Sequence, residues 1–330
     1  MRVIIRINYL WHFFWILAIF SHSNFTYAAY PDRPVKIVVG YPAGGGGDII
    51  ARVIAQRLSA LLNGNFIVDN KPGAGAMLAA GLVAKSPADG YTLLLGSSAE
   101  MTISPLLYSR IAYNPESDLL PITLLGISPV ILVANPHFSG ENILDVITEA
   151  KKDPGKLVIG SGGAGTPPQM AAEELKIVGN INFTIAPYKG GAPAQTDAIA
   201  GHIPLVFTTI ATALPAIKAK QLKPLTVLAP KRSTLLPEVA SSAELGLKNY
   251  QVGTWFGLFA PINTPSNIID LLRNSVSQSM QNIDVRNQFE MLGLEPATGP
   301  ESTGKALQIR ISEELIHWKE IIKKAGINKE

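Results

Sequence analysis

Two glycine-rich stretches carry the residues best suited to chemistry. Gly44, Gly45, Gly46 and Gly47 follow a β-branched run and precede Asp48; Gly160, Ser161, Gly162, Gly163, Ala164 and Gly165 follow a second apolar run and precede Thr166. A glycine loop that enters a helix exposes backbone N–H groups at the positive end of the helix dipole, so it can hold an anion without a charged side chain. The helix terminus contributes of order 0.3–2 kcal/mol per anion. A hydroxyl pair closes a later apolar run in each half, Ser97–Ser98 in one and Thr208–Thr209 in the other. Two such loops facing each other across a cleft would suit a small molecule with a carboxylate at one end or both. Asp48 reads as a cap for the following helix, with orientation of a ligand amine or hydroxyl as the alternative.

Other chemistries lack their residues. Cys is absent, which removes disulfide scaffolds, thiolate zinc sites and Cys nucleophiles. His137, His202 and His317 are not at metal-ligand spacing, and a general base near pH 7 is scarce. His202 reads as a solvated turn residue and His317 as packed or solvated beside Trp318. No P-loop lysine motif and no GxSxG elbow occurs. Gly160-x-Gly162-x-x-Gly165 fits a dinucleotide fingerprint, but the next strand ends in Ala186-Pro187-Tyr188, without the acid that holds the ribose. An α/β nucleotide-binding enzyme using this GSGGAG loop remains the alternative function. No metal or cofactor is expected.

The elements around the loops alternate. Residues 35–41 form a strand, then a helix carries Ile50, Val53, Ile54, Leu58 and Leu61 at helical spacing. Strands at 65–69 and 91–95 frame a second helix after Lys71-Pro72-Gly73. The second half repeats the plan: a strand at 157–159, a helix with Thr166 as N-cap and Pro167 at its first position, and strands at 183–186 and 204–207. Gly44 to Gly73 is 29 residues and Gly162 to Gly190 is 28, which suggests two α/β domains of one plan. Such a series predicts parallel sheets with helices on their faces, and binding at the carboxyl ends of the strands. Strands at 120–125 and 130–133, broken around 126–129, and a strand at 252–260 read as crossings between domains. Two C-terminal helices, the first opening at Thr264-Pro265 and the second after a Thr298–Glu301 capping box, are expected to pack on the first domain. The division is then 1–28 signal peptide, 29–126 with 252–330 as domain I, and 127–251 as an inserted domain II.

Composition bounds the partners. The 330 residues are 47% hydrophobic and 16% charged, with a net charge of +3. That is too apolar for a disordered chain, and it offers no basic excess for nucleic acid. Arg2 and Arg6 precede the apolar run 9–20, and small residues follow near Ala28. This is a secretory pattern: the run is too short to span a bilayer, and cleavage near Ala28 and export to the periplasm are expected. A monomer is expected.

Longer runs carry a resemblance. PVKIVVGYPAGGGGDIIARVIAQRLS, DNKPGAGAMLAAGLVAKSPADGYTLLLGS, PYKGGAPAQTDAIAGHIPLVF and TWFGLFAP occur in order along nearly all of the exported chain. The sequence resembles the Bug/TctC family, the extracytoplasmic solute receptors of tripartite tricarboxylate transporters. The resemblance implies a bilobed periplasmic-binding-protein type II fold, two α/β domains joined by two crossing strands, closing on a small organic carboxylate. It implies a membrane partner, either transporter subunits or a sensor kinase. It points to Tyr41, Pro42, Ala43, Gly44 and Gly45 in one domain and to Gly162, Gly163, Ala164, Gly165 and Thr166 in the other, with Ser97, Ser98 and Thr208 lining the rest. Two departures stand out. Thr208 follows Phe207 where the family often has Asp, and the second loop lacks the side-chain amide usual there.

Overall fold

The computed structural model describes residues 30–329; the expected signal segment 1–28 lies outside them. In chain order the elements are β1 (Val35–Val39), α1 (Gly46–Leu62), β2 (Phe66–Asn70), α2 (Met77–Ala84), β3 (Thr92–Ser97), α3 (Ser104–Leu107), β4 (Leu119–Ala134), α4 (Ile143–Lys152), β5 (Val158–Ser161) and α5 (Pro167–Gly179). They continue with β6 (Thr184–Pro187), α6 (Gly191–Ile199), β7 (Leu205–Thr209), α7 (Ile210–Lys218), β8 (Lys223–Val227), β9 (Gly253–Pro261), α8 (Ser266–Gln281), α9 (Ile283–Met291), β10 (Glu295–Pro296) and α10 (Gly304–Ala325). Among the described residues no helix is long and apolar enough to cross a membrane.

The strands form one path in the order β2-β1-β3-β9-β4-β7-β5-β6. β1, β2 and β3 are parallel, as are β5, β6 and β7. Between these sets lie β9 and β4, each antiparallel to its neighbours. Helices cover both faces. Ile50, Ala51, Ile54, Ala55 and Leu58 of α1 are buried at three- and four-residue steps, where they pack with Val35, Ile37, Val39, Phe256 and Leu258. α1 stops at Asn63, which adopts φ 47° and donates its N–H to the Ser59 carbonyl.

Register places the loops. Ser97 at the end of β3 lies opposite Phe256, and Phe256 lies opposite Gly126 of β4. Thr209 at the end of β7 lies opposite Val130. β3 runs with β4 and β7 runs against it, so the carboxyl ends of both parallel sets point at residues 126–130 from opposite sides. The two glycine loops therefore converge on the stretch where β4 passes from one set to the other.

Several expectations change. The break around 126–129 does not occur, and β4 is one strand of 16 residues. Gly126 is there because a Cβ would lie 2.7 Å from the Glu295 carbonyl oxygen of β10. Pro129 sits where β4 hands over from β9 to β7 and β8, so its missing N–H breaks no ladder bond inside either pairing. The last helix does not start at Thr298: residues Gly299–Ser302 form a 3-10 turn, and Thr303 caps α10 by accepting the Ala306 N–H at 3.2 Å. Thr166 does occupy the N-cap position of α5 without capping it; its hydroxyl donates to the Gly163 carbonyl at 2.7 Å.

The C-terminal helices do not all pack on the first set of strands. Leu307 and Ile311 of α10 pack with Val38, Leu94 and Phe259, whereas Trp318, Ile321 and Ile322 pack with Met170, Leu175 and Tyr250. His317 is not merely packed or solvated, because it pairs with buried Glu174 of α5 at 3.1 Å. α10 thus straddles both halves.

Candidate functional site

The first loop is held open by Asp48. Its Oδ2 accepts the Gly44 N–H at 2.8 Å and the Arg52 Nε–H at 2.9 Å. Its Oδ1 accepts from Asn70 Nδ2, which also donates to the Tyr41 carbonyl, each at 3.0 Å. The Arg52 guanidinium, with the Gly44 and Asn70 donors, holds the Asp48 carboxyl down at about 2. Asp48 is buried in the first turn of α1 with both carboxylate oxygens engaged. It shapes the loop, whereas Pro42, Ala43, Gly44 and Gly46 are exposed. Gly44 has φ +82°, a left-handed conformation that a side chain resists.

The second loop repeats this device with a different side chain. Gly165 has φ +76°, and its N–H donates to Gln169 Oε1 at 2.9 Å. In both loops a left-handed glycine gives its N–H to the side chain four residues on, in the first turn of the helix. Gly44 therefore corresponds to Gly165, three positions later than the match with Gly162 that glycine spacing suggests. Gly162 is close-packed instead, since a Cβ there would lie 3.0 Å from Thr166 Oγ1. Gln169 and Asn70 escaped the sequence reading; the signal that finds Gln169 is a loop glycine followed at the fourth position by a side-chain acceptor.

The second loop lies close to the turn before α2. A Cβ on Gly165 would be 3.7 Å from Ser104 Oγ, and one on Gly75 would be 3.6 Å from the same atom. Ser104 at the start of α3 thus bridges the second loop to the turn before α2. On another side, a Cβ on Gly293 would lie 2.2 Å from Ala211 Cα of α7.

The strand ends supply four hydroxyls in different settings. Ser97 Oγ is 2.6 Å from both Tyr41 Oη and Glu100 Oε2. Ser98 Oγ is buried and has no hydrogen-bond partner among the described residues. Thr208 Oγ1 accepts from Gln195 Nε2 at 3.2 Å, while Thr209 caps α7. Glu100, fully buried one turn after β3, was also missed, because one acid in an apolar run gives no periodic signal. No cluster with the makings of a metal site occurs among the described residues. A cavity of about 620 Å³ between α10 and the middle of β4 and β9 shares none of these residues.

Two parallel strand sets whose carboxyl ends, each carrying a glycine loop, point at one stretch of β4 are the architecture of a periplasmic binding protein, as in the structure of periplasmic binding protein BugD at 30% identity and a TM-score of 0.76. The family profile described as "Tripartite tricarboxylate transporter family receptor" matches residues 50–327, and the chain belongs to that family. It is 31% identical to "Protein BugT" of Bordetella pertussis over 298 residues, 90% of each chain. Among solved structures, R. palustris Rpa4515 with adipate superposes with a TM-score of 0.79 at 30% identity, covering 91% of this chain and all of that one. MatC of Rhodopseudomonas palustris with bound malate gives 0.76 at 29%, covering 89% of this chain and 100% of that one. The family is one of receptors rather than enzymes, and the nucleotide-enzyme alternative falls.

Proposed function

We propose that this protein captures a small organic carboxylate, of the diacid class seen in its adipate- and malate-bound neighbours, and hands it to the membrane subunits of a tripartite transporter. The observation that supports the reading is the matched pair Gly44–Asp48 and Gly165–Gln169, in which a first-turn side chain holds each glycine loop at the start of a helix. Residues 41–45, Ser97 and Ser98 would bind from one lobe, and residues 162–166 and Thr208 from the other. The lobes would be 29–126 with 252–330 and 127–251, turning about β4 and β9, and ligand would favour the closed form. Removal of residues 1–28 would release the receptor into the periplasm.

Thermal-shift measurement against mono-, di- and tricarboxylates tests this. A true ligand at 100 times its Kd adds about 2.7 kcal/mol. Gly45→Leu and Gly163→Leu, at positions with ordinary φ, should fold and lose the shift. Stabilisation by a nucleotide and by no carboxylate overturns the reading.

A further inference from the structure

We propose that Glu100 is a positioning residue whose proton, relayed through Ser97 and Tyr41, decides whether the first loop offers a hydroxyl donor to an anionic ligand. The inference rests on reading this loop as half of the carboxylate site.

The geometry is a chain of short contacts. Ser97 N–H donates to Glu100 Oε1 at 2.6 Å. Glu100 Oε2 lies 2.6 Å from Ser97 Oγ, which lies 2.6 Å from Tyr41 Oη, the three bent about Ser97. Ala99 N–H adds a donor to Ser97 Oγ at 3.3 Å, and Tyr41 Oη is 3.5 Å from Glu100 Oε2. Each hydroxyl has one proton, so the chain has a direction. With Glu100 ionised, Ser97 donates to Oε2 and Tyr41 donates to Ser97 or to Oε2. Every proton then points inward, and Tyr41 presents only lone pairs. With Glu100 protonated, Oε2–H donates to Ser97 Oγ, Ser97 donates to Tyr41, and the phenolic O–H is freed from both acceptors.

The surroundings favour the proton. Tyr41 from the loop, Ser97 from β3 and Tyr113, whose hydroxyl donates to the Glu100 carbonyl, face Glu100. From α10, Glu314 Oε2 bonds Thr102 at 2.9 Å, with Arg310 Nη1 3.6 Å from Glu314 Oε1. Among the described residues, the Glu100 carboxyl is hydrogen-bonded only to Ser97 and Tyr41 and forms no ion pair with Lys, Arg or His. Burial accordingly lifts the carboxyl to about 7. A ligand carboxylate above the loop disfavours a second negative charge beneath it and accepts the released O–H. Binding should therefore take up a proton, and affinity should rise as pH falls.

The test is calorimetric titration with adipate and malate from pH 5.5 to 8.5, in buffers of different ionisation enthalpy to count protons. Wild type should take up as much as one proton above pH 7 and lose affinity by up to about tenfold per pH unit there. Glu100→Gln can donate to Ser97 Oγ and accept Ser97 N–H, so it should bind at every pH as wild type does at pH 5.5, with no proton taken up. Tyr41→Phe should lose the low-pH advantage. A flat wild-type profile without proton uptake, or Glu100→Gln keeping the wild-type profile, overturns the proposal. If neither diacid binds at pH 5.5, the site reading fails separately. Carboxyl 13C NMR of the ligand-free protein then decides: titration of Glu100 near neutrality supports the relay, and titration below pH 5 overturns it.

Discussion

Asp48 and Gln169 hold the same place in their two loops. Each sits in the first turn of a helix and accepts the N–H of a left-handed glycine four residues earlier, at 2.8 Å and 2.9 Å. One carries a charge and the other does not, and Arg52 offsets the charge at 2.9 Å. The receptor thus builds two loops of one shape while keeping net negative charge away from both.

Asp48→Ala should leave the Gly44 N–H and the Asn70 amide short of an acceptor. We expect a loss of about 1–3 kcal/mol in denaturant unfolding and at least tenfold weaker ligand binding. Because the Asp48 carboxyl titrates lower folded than unfolded, its contribution is present above the ordinary value of 3.8 and disappears as pH falls toward about 2. The amount is on the order of 1–2 kcal/mol, since the Arg52 end is half in water. Acid unfolding of wild type against Asp48→Asn measures it: the gap should close between pH 4 and 2.

Gln169→Glu keeps the acceptor for Gly165 and adds a charge with no arginine to offset it. Stability should change by under about 1 kcal/mol, while diacid affinity should fall at least tenfold, read by calorimetry. Gln169→Leu should cost both.

His317 ties α10 to α5 through Glu174. The Glu174 hydrogen bond raises the His317 pKa above 6.5 against the opposing effect of burial. Its stabilisation is then complete below pH 6.5 and fades as pH climbs past the raised folded value. His317→Ala should lower Tm more at pH 6 than at pH 9.

Gly293→Ala should fail at a contact between halves. The residue has φ +69°, and its Cβ would lie 2.2 Å from Ala211 Cα. A loss of about 2 kcal/mol or more is expected in chemical denaturation. Gly163→Ala, at ordinary φ, is the control and should stay near wild type.

Sequence patterning located the loops, because glycine runs after β-branched strands and before apolar helical stripes are local features. The features it misplaced are tertiary. Gly126 and Pro129 look like breakers in isolation, yet Gly126 makes room for β10 and Pro129 marks a change of partner along one strand. The matching of Gly44 to Gly162 followed spacing, whereas the shared backbone conformation and N–H acceptor pair Gly44 with Gly165. α4, with its Asn142–Asp145 capping box, and β8 had readable signals that the two-halves plan passed over. The stripe of α10 was plain, but a stripe does not say that its two ends meet different sheets.

An unbroken β4 also fixes how the molecule can deform. A strand paired on both sides cannot stretch, and bending it sharply would forfeit ladder hydrogen bonds. It can twist, and the register shifts between Pro121 and Thr123 and between Leu124 and Gly126 are where its ladder with β9 has slack. The connection is a torsion bar with two soft points, stiff along its length and compliant about its axis. Any ligand-driven motion on such a bar would be a rotation of small amplitude, resisted by α10, whose two ends grip different sheets, and not a free swing.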